Sequence, residues 1–153
     1  MKAPRIAIVV AQWNADITHA LLQGALDHFG QNDITIPSNH IFTVPGCVEL
    51  PVAAQRCALT SQFDMVIVYG AVIQGETDHY QYVSQMVTTG CQQVSLQHNI
   101  PIIFGVLTTQ THQLAQQRVG GNKGHFGQET AASALMLWQS LEKISAINLI
   151  ERY

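Results

Sequence analysis

At 153 residues the chain suits one domain around one closed core, because a chain of this size buries roughly 68–70% of the surface it exposes unfolded. Hydrophobic residues make up 47% and charged residues 11%, which excludes a disordered chain and leaves few charges to cover a monomer, so self-association is expected, the alternative being a neutral surface rich in Gln, Asn, Ser and Thr. The net charge of -3, with no run of Lys or Arg, excludes the basic stripe that a nucleic-acid partner needs.

In chain order, the N-terminal stretch Met1 to Gln12 has two basic residues and a short apolar run. Pro4, the strand-like pattern and the lack of a small-residue cleavage site argue against a signal peptide. Ile6 to Val10 is β-branched and uninterrupted, as in a strand buried on both faces of a parallel sheet. Ile17, Leu21, Ala25 and Phe29 recur at helical spacing, with Leu22 and Leu26 widening the stripe. A second strand is predicted at Ile41 to Val44, stopped by Pro45-Gly46, and a second helix carries Val52, Arg56 and Leu59. Met65 to Val68 and Ile102 to Leu107 repeat the strand pattern, and helices are predicted at Tyr82 to Leu96 and Ala131 to Ile147. Strands alternating with helices call for right-handed crossovers and a doubly wound α/β fold. No apolar stretch is long enough to span a membrane. Cys47, Cys57 and Cys91 lack metal-ligand spacing and fit reduced thiols in a cytoplasm.

Ligands of such folds sit beyond the carboxyl ends of the strands. Three strand ends lead into unusual segments: Gln12-Trp13-Asn14, VPGCVELP at Val44 to Pro51, and GAVIQGETDH at Gly70 to His79. Their convergence gives a pocket with the indole of Trp13, the carboxylate of Glu49, turns at Gly46 and Gly75, and the imidazole of His79. That set can bind a planar heterocycle and move protons, histidine being the residue type that titrates nearest neutrality. The Gly75-Glu76-Thr77 turn precedes a helix starting near Tyr80, so its backbone N–H groups and the Thr77 hydroxyl can receive a phosphate. The blander alternative is that Thr77 only caps the helix and Gly75 only eases a turn. Trp13 and Phe104 can equally be core residues. The remaining histidines lack metal-clamping spacing, and Ser or Cys nucleophile motifs, a dinucleotide fingerprint and a P-loop are all absent from the sequence.

Taken together the segments resemble the lumazine synthase family over nearly the whole chain, residues 1–153 reading as a single domain of that kind. VPGCVELP resembles the family's VPG-x-x-E-[IL]-P turn, GAVIQGETDHYQYV its strand-to-helix segment, and PIIFGVLTT at Pro101 to Thr109 its fourth strand. Arg118 and the Gly-rich stretch to Glu129 resemble the join between its last two helices. The resemblance implies a three-layer flavodoxin-like fold with a four-stranded parallel sheet, and a homopentamer, sometimes gathered into an icosahedral shell, with the active site between subunits. It further implies a cytoplasmic enzyme that needs neither cofactor nor metal and takes two small-molecule substrates. These are 5-amino-6-(D-ribitylamino)uracil and 3,4-dihydroxy-2-butanone 4-phosphate, condensed to 6,7-dimethyl-8-ribityllumazine on the route to riboflavin.

Carried over position by position, the resemblance implies that Trp13 stacks on the pyrimidine and that Cys47, Val48 and Glu49 bind the ribityl chain and ring. Ala71, Val72 and Ile73 line the pyrimidine pocket, Glu76 and Thr77 hold the phosphate, and His79 moves protons. Arg118 reaches that phosphate from the adjacent subunit, and Phe104 closes the ring pocket from the same side. The chain departs from the pattern in three places: Trp13 stands where many relatives carry Phe, Val48 replaces a common aromatic, and Gln74 a frequent Arg. The run NKG falls three positions early in an ungapped reading, with Phe126 at the family's lysine position, which leaves Lys123 as the candidate lysine ligand. An archaeal-type riboflavin synthase and a flavin-binding protein without turnover are competing readings. The phosphate-suited turn argues against the first, and the presence of His79 and Arg118 against the second.

Overall fold

The run IAIVVA forms the first strand, β1 (Ile6–Ala11), in a computed structural model that describes residues 1–150. Every residue of β1 is buried, because helices cover both faces of the sheet. Ile6, Ile8 and Val10 face α1 (Ala15–Gln31), packing with its Ile17, Leu21, Ala25 and Phe29, and with Ala131 and Ala134 of α5 (Phe126–Ile150). Ala7, Val9 and Ala11 point the other way, as the twofold alternation of a strand requires. They meet Leu50, Ala54 and Cys57 of α2 (Leu50–Leu59) and Val87, Cys91 and Val94 of α3 (His79–His98).

With β2 (Ile41–Val44), β3 (Met65–Ile73) and β4 (Ile102–Thr109) the sheet has the order β2-β1-β3-β4, all parallel. This is the three-layer α/β arrangement expected from the sequence. Between β4 and α5 lie elements that the hydrophobic pattern did not announce. They are a short α4 (His112–Gln117) and a two-stranded antiparallel hairpin of β5 (Val119–Gly121) and β6 (Gly124–His125).

β3 runs five residues beyond its predicted end at Val68, staying in register with β4 from Gly70↔Val106 to Ile73↔Thr109. Gly70 is therefore no strand stop. A side chain there would drive into the sulfur of Cys47, with Leu50 Cδ1 3.2 Å away, so the glycine lets the turn after β2 lie directly on the sheet. Gly127 has a similar use in α5. A Cβ at that position would meet the main chain of Leu21, so α5 rests against the α1 backbone. Beside it the buried Tyr69 hydroxyl sits 2.7 Å from Thr130 Oγ1 and donates to Gly127 O at 3.3 Å, which satisfies a phenol that could not otherwise be buried cheaply.

The entrances to β1 and β3 are latched by charge. Arg5 Nε and NH2 reach the two carboxylate oxygens of Asp64 at 3.1 and 2.8 Å, and the Arg5 N–H donates to Oδ2 at 2.7 Å. These contacts hold the Asp64 carboxyl below its ordinary value. A depressed folded-state value stabilises the fold above the unfolded carboxylate pKa, and the contribution disappears as pH falls through the folded value. The midpoint of thermal unfolding is thus expected to drop as pH is lowered below about 4. Asp64→Asn should lower the midpoint at pH 7 and flatten that acid-side fall; a melting series from pH 7 to pH 2 in which both proteins keep the same slope would refute it.

Candidate active site

The carboxyl ends of β1, β2 and β3 open on one side of the sheet, and the chain leaves β1 and β2 tied together there. Gln12 N–H donates to Val44 O at 2.8 Å and Trp13 N–H to Pro45 O at 3.1 Å. Asn14 follows in the left-handed region, φ 59° and ψ 49°, which asparagine tolerates better than most residues. From there its side-chain amide donates to Ala71 O at 3.1 Å. Trp13 is thereby tied to the end of β2 and Asn14 to β3, beside the β1/β3 point where strand order reverses, the usual seat of ligands in such sheets.

These constraints surround a hollow of about 450 Å³ lined by Trp13, Asn14, the Pro45–Glu49 turn, Ala71–Ile73, Gly75, Thr77, His79, Tyr80 and Val83. The volume suits a small heterocyclic ligand. Of the residues singled out from sequence, it unites Trp13, Cys47, Val48, Glu49, Ala71, Val72, Ile73, Thr77 and His79. Trp13 is 73% exposed, so its core alternative does not hold. Asn14, Tyr80 and Val83 were not anticipated as lining residues. Helical spacing from His79, which brings Val83 onto the same side, was the available clue for the last of these.

Glu49 ends a 3-10 turn at Cys47–Glu49, and its Oε2 accepts the Gly46 N–H at 2.9 Å. One carboxylate oxygen is committed to shaping the turn; the carboxylate as a whole still lines the hollow. Thr77 Oγ1 accepts the His79 N–H at 3.3 Å in the turn before α3, but the N-cap position is Asp78 and carries no side-chain capping bond, so Thr77 is not the helix cap. The same hydroxyl keeps its own proton for an acceptor in the hollow. Gly75 has no positive φ, and a Cβ added there would meet nothing within 4 Å; neither fold nor neighbours demand glycine at that position. Glu76 is exposed and its side chain does not line the hollow.

Cys47 is buried at the floor. Loss of solvent pushes its thiol up to about 11, the nearby Glu49 charge adding to the rise against a lowering contact with the Ala71 backbone. Burial likewise takes Cys91 to about 11 and raises Cys57. A thiol of this kind packs and does not attack. Cys47 and Cys91 of the native protein at pH 8 are expected to react with a chromogenic disulfide reagent about 10²-fold more slowly than in the denatured chain, since only about a thousandth of such a thiol is ionised there. Two thiols per chain reacting at the denatured rate would contradict it.

Arg118, Lys123 and Phe104 lie elsewhere. Arg118 and Lys123 line a separate hollow of about 520 Å³ with Thr108, Thr109, Gln110, Leu114, Gln117 and Phe126, between the end of β4 and the hairpin. Arg118 is held by Lys123 O at 2.7 Å and Glu129 Oε2 at 3.0 Å. Phe104, in mid-β4, is half-buried against the core on the α2 and α3 side and lines neither hollow. Within one chain, then, the aromatic and proton-carrying groups and the cationic groups occupy different surfaces.

Comparison with known proteins supplies the remaining finding. The sequence model of a family described as 6,7-dimethyl-8-ribityllumazine synthase matches residues 3–142. A protein of that description from Coxiella burnetii is 43% identical across 92% of this chain and 93% of its own length. One from Leuconostoc mesenteroides is 41% identical across 94% and 92%, and one from Salinibacter ruber 41% across 92% and 90%.

Proposed function

This chain belongs to the 6,7-dimethyl-8-ribityllumazine synthase family, and from that premise we propose that its two hollows are the halves of one active site, brought together across a seam between subunits. The enzyme condenses 5-amino-6-(D-ribitylamino)uracil with 3,4-dihydroxy-2-butanone 4-phosphate to 6,7-dimethyl-8-ribityllumazine, releasing phosphate and water in the penultimate step of riboflavin biosynthesis.

In this reading the pyrimidine lies in the first hollow, its ring on Trp13, its polar edge against the backbone of Ala71 to Ile73, and its ribityl chain along Cys47, Val48 and Glu49. The phosphate of the second substrate sits at the start of α3, where the Glu76 and Thr77 backbone and the Thr77 hydroxyl meet it at the positive helix end. Arg118 and Lys123 arrive from the neighbouring subunit as its cationic partners, with Phe104 of that subunit toward the ring. The amine adds to the ketone and water leaves to give a Schiff base. Loss of a carbon-bound proton then expels phosphate and leaves an enol that ketonises, and attack of the ribitylamino nitrogen on that carbonyl, with loss of a second water, closes the ring. Each stage moves protons, and His79 at the hollow's edge is the residue placed to carry them.

The observation that carries this reading is the separation of the two sets on one chain: ring, carboxylate and imidazole around one hollow, guanidinium and ammonium around another. A homopentamer, with or without further assembly, closes such head-to-tail contacts. The three free cysteines, all buried, suit an enzyme of the reducing cytoplasm. Incubation with both substrates should give lumazine absorbance and free phosphate, and the mass in solution should be that of five chains or a multiple. A monomer with full turnover would overturn the shared-site reading; dismutation of lumazine, or flavin binding without phosphate release, would overturn the activity.

A further inference from the structure

Arg118 is gripped on more sides than its charge pair accounts for. Its NH1 donates to Lys123 O at 2.7 Å and its NH2 to Glu129 Oε2 at 3.0 Å. The Phe126 ring lies 5.3 Å from the guanidinium carbon, within the range of a cation–π contact. Phe126 is itself anchored: its N–H donates to Arg118 O at 2.6 Å, and its ring packs against the core formed with α1 and α5. All three partners come from the hairpin and the first turn of α5, and Arg118, Lys123 and Phe126 line the same hollow.

We propose that Phe126 is a positioning residue for substrate phosphate: its ring fixes the plane of the Arg118 guanidinium, so that the N–H groups not spent on Lys123 and Glu129 face the hollow. The inference rests on the reading of Arg118 as a phosphate ligand and adds the group that aims it. The physical need is plain. Glu129 draws on the charge of Arg118, and a half-exposed guanidinium held by that pair alone has freedom to swing. An aromatic face removes that freedom without placing a second negative charge near an incoming dianion. A planar fork held in one orientation loses less entropy on meeting a phosphate than a free one does.

The test compares Phe126→Leu, Phe126→Met and Phe126→Tyr with the parent enzyme by steady-state kinetics and by inhibition with inorganic phosphate. Leu and Met keep apolar bulk but have no π face. Each is expected to raise KM for the phosphorylated ketone and the inhibition constant of phosphate together, by about two- to fivefold, with kcat and KM for the pyrimidine substrate unchanged. Phe126→Tyr should restore both values. Parent-like phosphate inhibition in the Leu and Met variants, or a Tyr variant that behaves like them, overturns the proposal. A general loss in which kcat and both KM values worsen alongside assembly also overturns it, since that is the mark of a purely structural residue. Arg118→Ala run beside them separates the two levels: if it leaves phosphate inhibition untouched, the reading of the second hollow fails. If it abolishes inhibition while the Phe126 variants do not alter it, only the present inference fails.

Discussion

His79→Ala is expected to lower kcat by about 10²-fold at neutral pH, the low end of what a positioned acid–base contributes, with both substrates still bound. His79 is the first residue of α3 and lines the same hollow as Trp13 and Glu49, so it can reach protons without being needed to shape the cavity. It is also exposed, and water can take over part of its task. The larger share of the acceleration should come from holding amine and ketone together, worth about 7–11 kcal/mol at best. Rates that match the parent, or an intact assembly with no turnover above the uncatalysed reaction, would remove His79 from its assigned task.

Arg118→Ala should act differently, raising KM for the phosphorylated ketone by about tenfold or more, since a hydrogen bond to a charged group contributes about 1.5–3 kcal/mol. At saturating ketone, kcat should fall far less. Arg118→Lys should recover only part of the loss, because an ammonium cannot reproduce the planar fork. Because His79 and Arg118 line different hollows, a shared site makes a further demand on the pair. Subunits of the two Ala variants, denatured together, reassembled and assayed with ketone well below the parental KM, should regain about a quarter of parental activity, as about one seam in four then joins an intact His79 to an intact Arg118. A mixture no more active than its parts would place both residues in a single-chain site.

The sheet could be read from sequence because its strands are covered on both faces, so IAIVVA and MVIVY are apolar without interruption. Where tertiary contact sets the rule, local reading failed. Gly70 looks like punctuation and is in fact mid-strand, kept small by the sulfur of Cys47. The six-residue α4 and the hairpin after it carry too few apolar positions to show a period, and the hairpin depends on Gly120 and Gly124 at φ 103° and 81°.

The first hollow was legible because strand ends and their following turns must converge in a parallel sheet, so Trp13, Glu49 and His79 were placed without any knowledge of side-chain contacts. Of the residues missed there, Asn14 and Tyr80 line it through a backbone conformation and a helix start that hydropathy does not encode, whereas Val83 follows His79 at helical spacing. The second hollow was beyond pattern reading. Arg118 and Lys123 lie on a segment with no strong periodicity, and only the family resemblance singled them out. Phe126, at the family's lysine position, brings an aromatic face to the Arg118 guanidinium.

The two indoles of the chain live in unlike surroundings. Trp138 donates its N–H to Lys2 O at 3.1 Å and packs beside the α1 and α5 core, whereas Trp13 is open to solvent at the rim of a ligand-sized hollow. Light absorbed by the protein is therefore re-emitted from two positions of different polarity. The redder component reports who occupies the rim, and the other reports whether the amino terminus is still fastened down, so binding and fraying can be followed separately in one cuvette without attaching a dye.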